Sequence, residues 1–191
     1  MQGRASTITD LGDGTLLRVG GDPEREARIM AHARSYGFPV PLVHEIRGEA
    51  MVLERIDGPT MSQHLARHPW LLPRHVRVLA DLHARLHEIP FETARLVHYD
   101  LHPQNLMLGL DGPVVIDWTN AHAGIPDADL AMTWLILATS AGLPGRIAAR
   151  IFGAEVGREP IRRGLAAAMR FRLADPNVTP GEQERAERAI P

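Results

Sequence analysis

Asp100, Asn105 and Asp117 stand in a stretch, 97–118, that is otherwise mostly apolar or turn-forming. Leu106-Met107-Leu108 and Val114-Val115-Ile116 flank Asp111-Gly112, a hairpin signal. Folding the segment about Asp111 sets Asn105 and Asp117, six residues to either side, face to face at the open end of the hairpin. Directly opposed residues have Cβ atoms about 4.5–5.5 Å apart. An amide oxygen and a carboxylate at that separation suit a hard cation such as Mg²⁺. Asp100, on the loop that feeds the hairpin, then lies near the cation without being a ligand. A carboxylate that accepts the proton of an attacking hydroxyl, with an Asn and an Asp holding a metal against phosphates, is what phosphoryl transfer needs. The alternative, a plain hairpin with Asp and Asn serving its turns, leaves the Asp100 loop unexplained.

The spacing His98-x-Asp100-x4-Asn105 follows the protein-kinase catalytic loop, and Asp117 falls where that fold carries its metal-binding Asp. The wording VHYDLHPQNLML and VVIDWTNA resembles the aminoglycoside phosphotransferase family of kinase-like enzymes. In that family the loop reads roughly His-Gly-Asp-Leu-His-Pro-x-Asn and the metal strand ends in Ile-Asp-Trp. The resemblance implies an α+β, two-lobed protein-kinase-like fold: a small antiparallel-sheet lobe with one helix over 1–57, and a mainly helical lobe with the catalytic hairpin over 58–191. It implies ATP as its Mg²⁺ complex, with the γ-phosphoryl group passing to a hydroxyl of a small molecule. Asp100 is then the base, His98 orients the loop, His102 and Pro103 shape it, and Asn105 and Asp117 hold the metal.

The elements that position these residues are legible upstream. Ser6 to Leu11 and Thr15 to Val19 read as strands joined through Gly12-Asp13-Gly14. Gly3-Arg4-Ala5-Ser6 reads either as the turn over the nucleotide phosphates or as a frayed end. Asp22-Pro23 opens a helix that runs to about Tyr36 and stops at Gly37. REARIM…YGFPVP resembles the family's helix C, whose Glu pairs with a basic residue on the preceding strand. Glu26 takes that place, with Glu24 as the alternative, and Arg18 is the partner where the family has Lys. All 21 basic residues of the chain are Arg, so the exchange belongs to a chain-wide bias. Arg18 reads as a phosphate contact or as a surface strand residue neutralising Glu26. Leu42 to Ile46 and Ala50 to Ile56 form a second hairpin, and MVLERIDGPTM resembles the connector between lobes. There, backbone groups near Glu54, Arg55 and Ile56 would meet the adenine edge.

Downstream, Met61 to His68 and Pro73 to Glu88 read as helices, the second with Val76, Leu79, Ala80, His83 and Leu86 on one stripe. His83 and His87, four apart, read as packing against the catalytic loop or, without a completing H-E-x-x-H pattern, as a metal pair. The connection 90–96 is short and 120–126 is a Gly- and Pro-containing loop. Asp127 or Asp129 caps an apolar helix to Ala141. PDADLA resembles the family's Asp-Leu-Ala step, which assigns Asp129 to hydrogen bonds supporting the loop, with simple capping as the alternative. Helices follow at about 144–152 and 158–174, then a polar tail from Asp175.

Composition narrows the function. With 45% hydrophobic residues the chain can build a core, and without cysteine it has no thiol chemistry. A net charge of −2 gives no pull toward nucleic acid or an anionic membrane, and no secretory h-region is visible, so the reading is cytoplasmic with the oligomeric state open. From residue 141 onward nine Arg face six acidic residues, whereas 81–140 carries eight acidic residues against Arg85 and Arg95. A pocket for several ammonium groups wants carboxylates, so the acceptor reads as neutral or anionic rather than polycationic. A catalytically weak nucleotide-binding scaffold is the alternative function. A protein kinase is opposed by Ile-Asp-Trp in place of Asp-Phe-Gly and by the missing Ala-Pro-Glu segment.

Overall fold

The computed structural model describes residues 6–140 and 142–174. Most of the expected phosphate turn, residues 3–5, and the polar tail from Asp175 lie outside the described residues.

Strands β1 (Thr7–Asp10) and β2 (Thr15–Val19) pair antiparallel, Ile8 opposite Arg18. Helix α1 (Pro23–Ser35) begins where the Asp22 carboxylate accepts the Arg25 N–H and Pro23 occupies the first turn, where no N–H is needed. It ends before Gly37, at φ 73°. Strands β3 (Val43–Arg47) and β4 (Ala50–Glu54) complete a sheet of order β1-β2-β4-β3. The buried side of α1, with Ile29, Met30 and Ala33, faces β3 and β4.

The connector after β4 presses on the catalytic hairpin. Gly58 sits at φ 149°, and a Cβ there would lie 2.1 Å from the Leu108 carbonyl oxygen, so only glycine fits. Thr60 then caps α2 (Met61–Arg67): its hydroxyl accepts from Gln63 N–H while the Gln63 side chain accepts from Thr60 N–H. A 3-10 turn at Pro69–Leu71 leads into α3 (Leu72–His87), which buries Val76, Leu79, Leu82, His83 and Leu86.

The segment expected as a plain connection holds two short strands, β5 (Pro90–Phe91) and β6 (Ala94–Val97). The hairpin strands are β7 (Leu106–Gly109) and β8 (Gly112–Val115). The loop expected over 120–126 contains β9 (His122–Gly124), which pairs with β6. Strands of two to four residues carry no periodicity, and the β6–β9 pairing crosses the whole catalytic segment, so neither shows in local sequence. Helices α4 (Pro126–Ser140), α5 (Gly142–Val156) and α6 (Arg158–Ala174) close the structure. The core runs through Leu82, Leu96, Leu101, Leu106, Trp118, Ala131 and Phe152. Each fully buried Leu or Phe contributes about 1.5–3 kcal/mol. No described helix is long and apolar enough to cross a membrane.

Candidate active site

The hairpin register differs by one residue from a fold about Asp111. Leu106 pairs with Val115 and Gly109 with Gly112, which makes Leu110-Asp111 the turn. The residue opposite Asn105 is therefore Ile116, whose N–H bonds the Asn105 carbonyl at 3.0 Å. A one-residue slip in a strand sends a side chain to the other face. Asp117 does not continue the strand: it turns at φ 60°, a region that Asp enters more readily than most residues. Asn105 and Asp117 line one cavity even so.

On the loop, Asn105 Nδ2 donates to both the Asp100 carbonyl and Asp100 Oδ2, each at 2.9 Å. His102 Nε2 lies 3.4 Å from the other carboxylate oxygen. Asn105 N–H closes a turn onto the His102 carbonyl at 2.9 Å. With the amide nitrogen bonded to Asp100, the Asn105 oxygen is the atom left for a cation.

Asp129 holds the loop from behind. Its side chain, fully buried, accepts from His98 N–H at 3.1 Å and from Tyr99 N–H at 2.7 Å, while His87 Nε2 donates at 2.9 Å. Burial pushes this carboxyl up, but hydrogen bonding and charge from the His83 and His87 rings outweigh it and hold it well below the usual carboxylate range. Of the two readings of Asp129, loop support is the one its carboxylate serves. The supported backbone is unusual, since Tyr99 sits at φ 62° where the resembling loops carry glycine. Ring contacts with His122 and Phe171 pack it in place. His98 is fully buried behind the loop with its ring against Trp118, and neither ring nitrogen has a partner among the described residues. Burial pushes its pKa down and keeps it neutral. His83 Nε2 bonds Thr133 Oγ1 at 2.9 Å, and that hydroxyl donates to the Leu101 carbonyl at 2.7 Å, so the helix α3 histidines brace the loop.

A second group comes from the sheet side. Arg18 Nη1 pairs with Glu26 Oε2, both side chains buried, whereas Glu24 is exposed. Arg18 Nη2 donates to Thr119 Oγ1 at 2.6 Å and lies 3.6 Å from Asp117 Oδ1, and Thr119 Oγ1 donates to that oxygen at 2.8 Å. Gly21, at φ 77°, leaves room for the pair: a Cβ there would meet Glu26 Oε1 at 2.6 Å. Arg25 donates to the Thr119 and Ala121 carbonyls and ties α1 to the segment after Asp117. The sequence reading missed both Arg25 and Thr119. Their only local signals are a helix-face Arg and a Thr two residues past the metal-strand Asp.

Between the two groups lies a cavity of about 280 Å³. Ile8, Leu16, Leu53, Ile56, Met107 and Ile116 make it apolar at one side, and Arg18, Glu26, Asn105 and Asp117 supply the polar end. Glu54 also lines it, but Arg55 does not. The Arg55 guanidinium binds Asp10 at 2.8 Å and Asp57 at 3.0 Å, and the Arg55 backbone N–H is taken by the Gly14 carbonyl at 2.9 Å. Glu54 N–H is taken by the Leu42 carbonyl at 2.8 Å, so of Glu54, Arg55 and Ile56 it is Ile56 whose backbone bonds no other described backbone group.

A family model described as the phosphotransferase enzyme family matches residues 92–167. One described as the RIO domain matches residues 21–128, more than half of the chain. The chain is 34% identical over 83 residues to a probable bifunctional tRNA threonylcarbamoyladenosine biosynthesis protein of Methanospirillum hungatei, covering 44% of this chain and 14% of that protein. It is 32% identical over 83 residues to the probable serine/threonine-protein kinase BUD32 homolog of Archaeoglobus fulgidus, covering 44% of this chain and 37% of that one. The matched region is thus well under half of these curated relatives. Among solved structures, the ethanolamine kinase of Plasmodium vivax superimposes with a TM-score of 0.65 at 10% identity, over 97% of this chain and 81% of that one. A thermostable mutant of the aminoglycoside phosphotransferase APH(4)-Ia gives 0.69 at 16% identity, over 97% and 93%. At such identities the likeness is one of fold. The fold is the α+β, two-lobed kinase-like one that the loop motifs imply.

Proposed function

From the premise that this chain belongs to the RIO-domain family, whose model matches residues 21–128, and is similar to the phosphotransferase enzyme family over 92–167, we propose that it moves the γ-phosphoryl group of ATP to an alcohol. The observation that carries the reading is the double role of Asn105. It hydrogen-bonds Asp100 and, with Asp117 and Arg18, lines the polar end of one apolar cavity. Adenine fits the apolar side, with the Ile56 backbone as its hydrogen-bonding edge and Glu54 beside it. The phosphates then point to the polar end. The Asn105 oxygen and the Asp117 carboxylate are the hard oxygen donors that Mg²⁺ takes. Bound there, Mg²⁺ neutralises phosphate charge during transfer.

Asp100 accepts the proton of the attacking hydroxyl as the oxygen bonds the γ-phosphorus, and ADP leaves with the electrons of the broken bridge. Asn105 fixes the carboxylate that does this, and Asp129 fixes the backbone that carries it. His98, buried and neutral, orients the loop from behind and does not reach substrate. Glu26 positions Arg18 for the phosphates. The acceptor is a small neutral or anionic alcohol, and the setting is cytoplasmic. The partial match to a protein named as a serine/threonine-protein kinase supports a protein hydroxyl as the competing acceptor.

One observation favours the second reading, a nucleotide-binding scaffold with little turnover. Both terminal nitrogens of Arg18 already bond protein, to Glu26 and to Thr119. A screen for ADP release against panels of hydroxyl-bearing metabolites, neutral polyols, aminoglycosides and a generic protein substrate separates the readings. Acceptor-stimulated release that vanishes in Asp100→Asn supports the enzyme. Tight Mg-ATP binding with no stimulated release by any acceptor supports the scaffold.

A further inference from the structure

A second cavity, of about 430 Å³, opens between α2, α3 and α5, and Pro103 of the catalytic loop is part of its lining. That volume lies in the range of small-molecule sites, about 300–1,000 Å³. We propose that it holds the hydrocarbon skeleton of the acceptor, so that the substrate class is an uncharged, largely apolar alcohol whose hydroxyl points toward Asp100; this rests on the phosphotransfer reading above.

Three observations carry it. The wall is apolar, with Met61, Leu65, Val76, Leu79 and Ala148, and among the described residues no carboxylate or arginine lines it. A polyamine sugar would lose its hydration there with nothing to replace it, which burial of unpaired charge makes prohibitive. The polar exceptions are Ser62 and His75. His75 Nε2 is paired with His64 Nδ1 at 2.8 Å, and burial pushes the His75 pKa down, so this side of the wall is also uncharged near neutrality.

The cavity is also joined to the chemistry. Ser62 N–H bonds the Pro103 carbonyl at 2.9 Å, and Thr60 bridges Met107, so the start of α2 is fixed both to the catalytic loop and to β7 just after it. Pro103 is three positions from Asp100. Three residues reach at most about 10 Å. That keeps Pro103, where the cavity meets the catalytic loop, within about 10 Å of the base. Finally, the mouth can be tested without touching the core, because Ala66 lines the cavity yet is exposed on α2.

The test uses 1-octanol and 2-phenylethanol as apolar probes, with sorbitol and kanamycin as polar ones. Binding is followed by saturation-transfer NMR, and ADP release is measured with Mg-ATP. The expected result is that the apolar alcohols bind and raise ADP release at least tenfold over the acceptor-free rate, whereas sorbitol and kanamycin do neither. Ala66→Trp, with an unchanged melting temperature, should weaken octanol binding about tenfold, and Ala148→Leu should weaken it independently. Octanol that fails to bind, or binds Ala66→Trp and Ala148→Leu as it binds wild type, overturns the proposal. So does octanol binding without stimulated ADP release in a protein that binds Mg-ATP. If calorimetry shows no Mg-ATP binding, the phosphotransfer reading falls and the acceptor role with it, whereas the NMR titration still reads the cavity as a ligand site or not.

Discussion

The side-chain nitrogen of Asn105 donates to both the carbonyl and the carboxylate of Asp100, each at 2.9 Å. The proposed division of labour between base and metal ligand is therefore not clean: one side chain orients the carboxylate with its nitrogen and leaves its oxygen for a cation. Asn105→Ala should lower turnover as well as Mg²⁺ dependence, because it releases Asp100. Asp117→Ala should abolish Mg²⁺-dependent nucleotide binding and leave Asp100 in place. Calorimetry with and without Mg²⁺, beside steady-state kinetics, separates the two. Unchanged Mg²⁺ dependence in Asp117→Ala would remove that residue from the metal site.

Asp100→Asn should keep the fold and Mg-ATP affinity and lose most turnover, since removing a general base costs about 10²–10⁴ in rate. The amide retains an oxygen for Asn105 Nδ2, so the loop geometry survives the change. Turnover equal to wild type on a confirmed acceptor would end the assignment of Asp100.

Arg18 carries a structural load that its sequence position does not reveal. Glu26 is 1% exposed, so Arg18→Ala strands a buried carboxylate, a change that typically costs about 3–5 kcal/mol. Urea unfolding should show that loss together with weaker ATP binding. Arg18→Lys keeps the charge and gives up the contact to Thr119, and it should retain fold and activity. An Arg18→Ala protein as stable as wild type would mean that Glu26 finds another partner.

Asp129→Asn should slow turnover and leave Mg-ATP affinity near wild type. The carboxylate accepts two backbone N–H groups and a histidine, and an amide offers one oxygen and a donor in their place. Each buried N–H left unpaired costs about 1–3 kcal/mol. The fall should come with a lower melting temperature and a kcat effect larger than any KM effect. A KM effect alone would place Asp129 outside the support of the loop.

The motifs made the catalytic loop legible because its spacing is set by chemistry that only a few residue types perform. The caps at Asp22 and Gly37 and the helix stripes were legible because they are local. The hairpin register was not: Asp111-Gly112 reads as the turn pair, but Gly112, at φ 126°, is the first residue of β8 and the turn is Leu110-Asp111. Strands β5, β6 and β9 were hidden because they are two to four residues long and the β6–β9 pairing spans the catalytic segment. Thr119 and Arg25 were hidden because their partners lie about a hundred positions away in the chain. Arg55 stands outside the cavity lining, with its backbone N–H on Gly14, and a backbone contact leaves no side-chain signature by which the sequence could have told it from Ile56.

Acid should destabilise the protein before any carboxylate titrates. His98 and His83 are fully buried, and burial pushes both pKa values down from the ordinary imidazole value of about 6.5. In the unfolded chain each takes up a proton near that pH, whereas in the fold it does not. The unfolded state then binds more protons, so stability is full above about pH 6.5 and falls as pH drops toward the folded pKa values. Each such group contributes up to about 1.4 kcal/mol per pH unit within that window. Asp129 has the same sign but acts lower, because a depressed carboxyl loses its contribution only as pH falls below about 3.9. Urea unfolding at pH 7.5, 6.5 and 5.5 should therefore give decreasing stability. His98→Phe should flatten the slope by one group's share, since the ring of His98 makes no hydrogen bond to the described residues for phenylalanine to lose. A stability that stays level from pH 7.5 to 5.5 in the wild-type protein would mean that these buried rings carry protons in the fold, and that the catalytic loop rests on charged rather than neutral imidazoles.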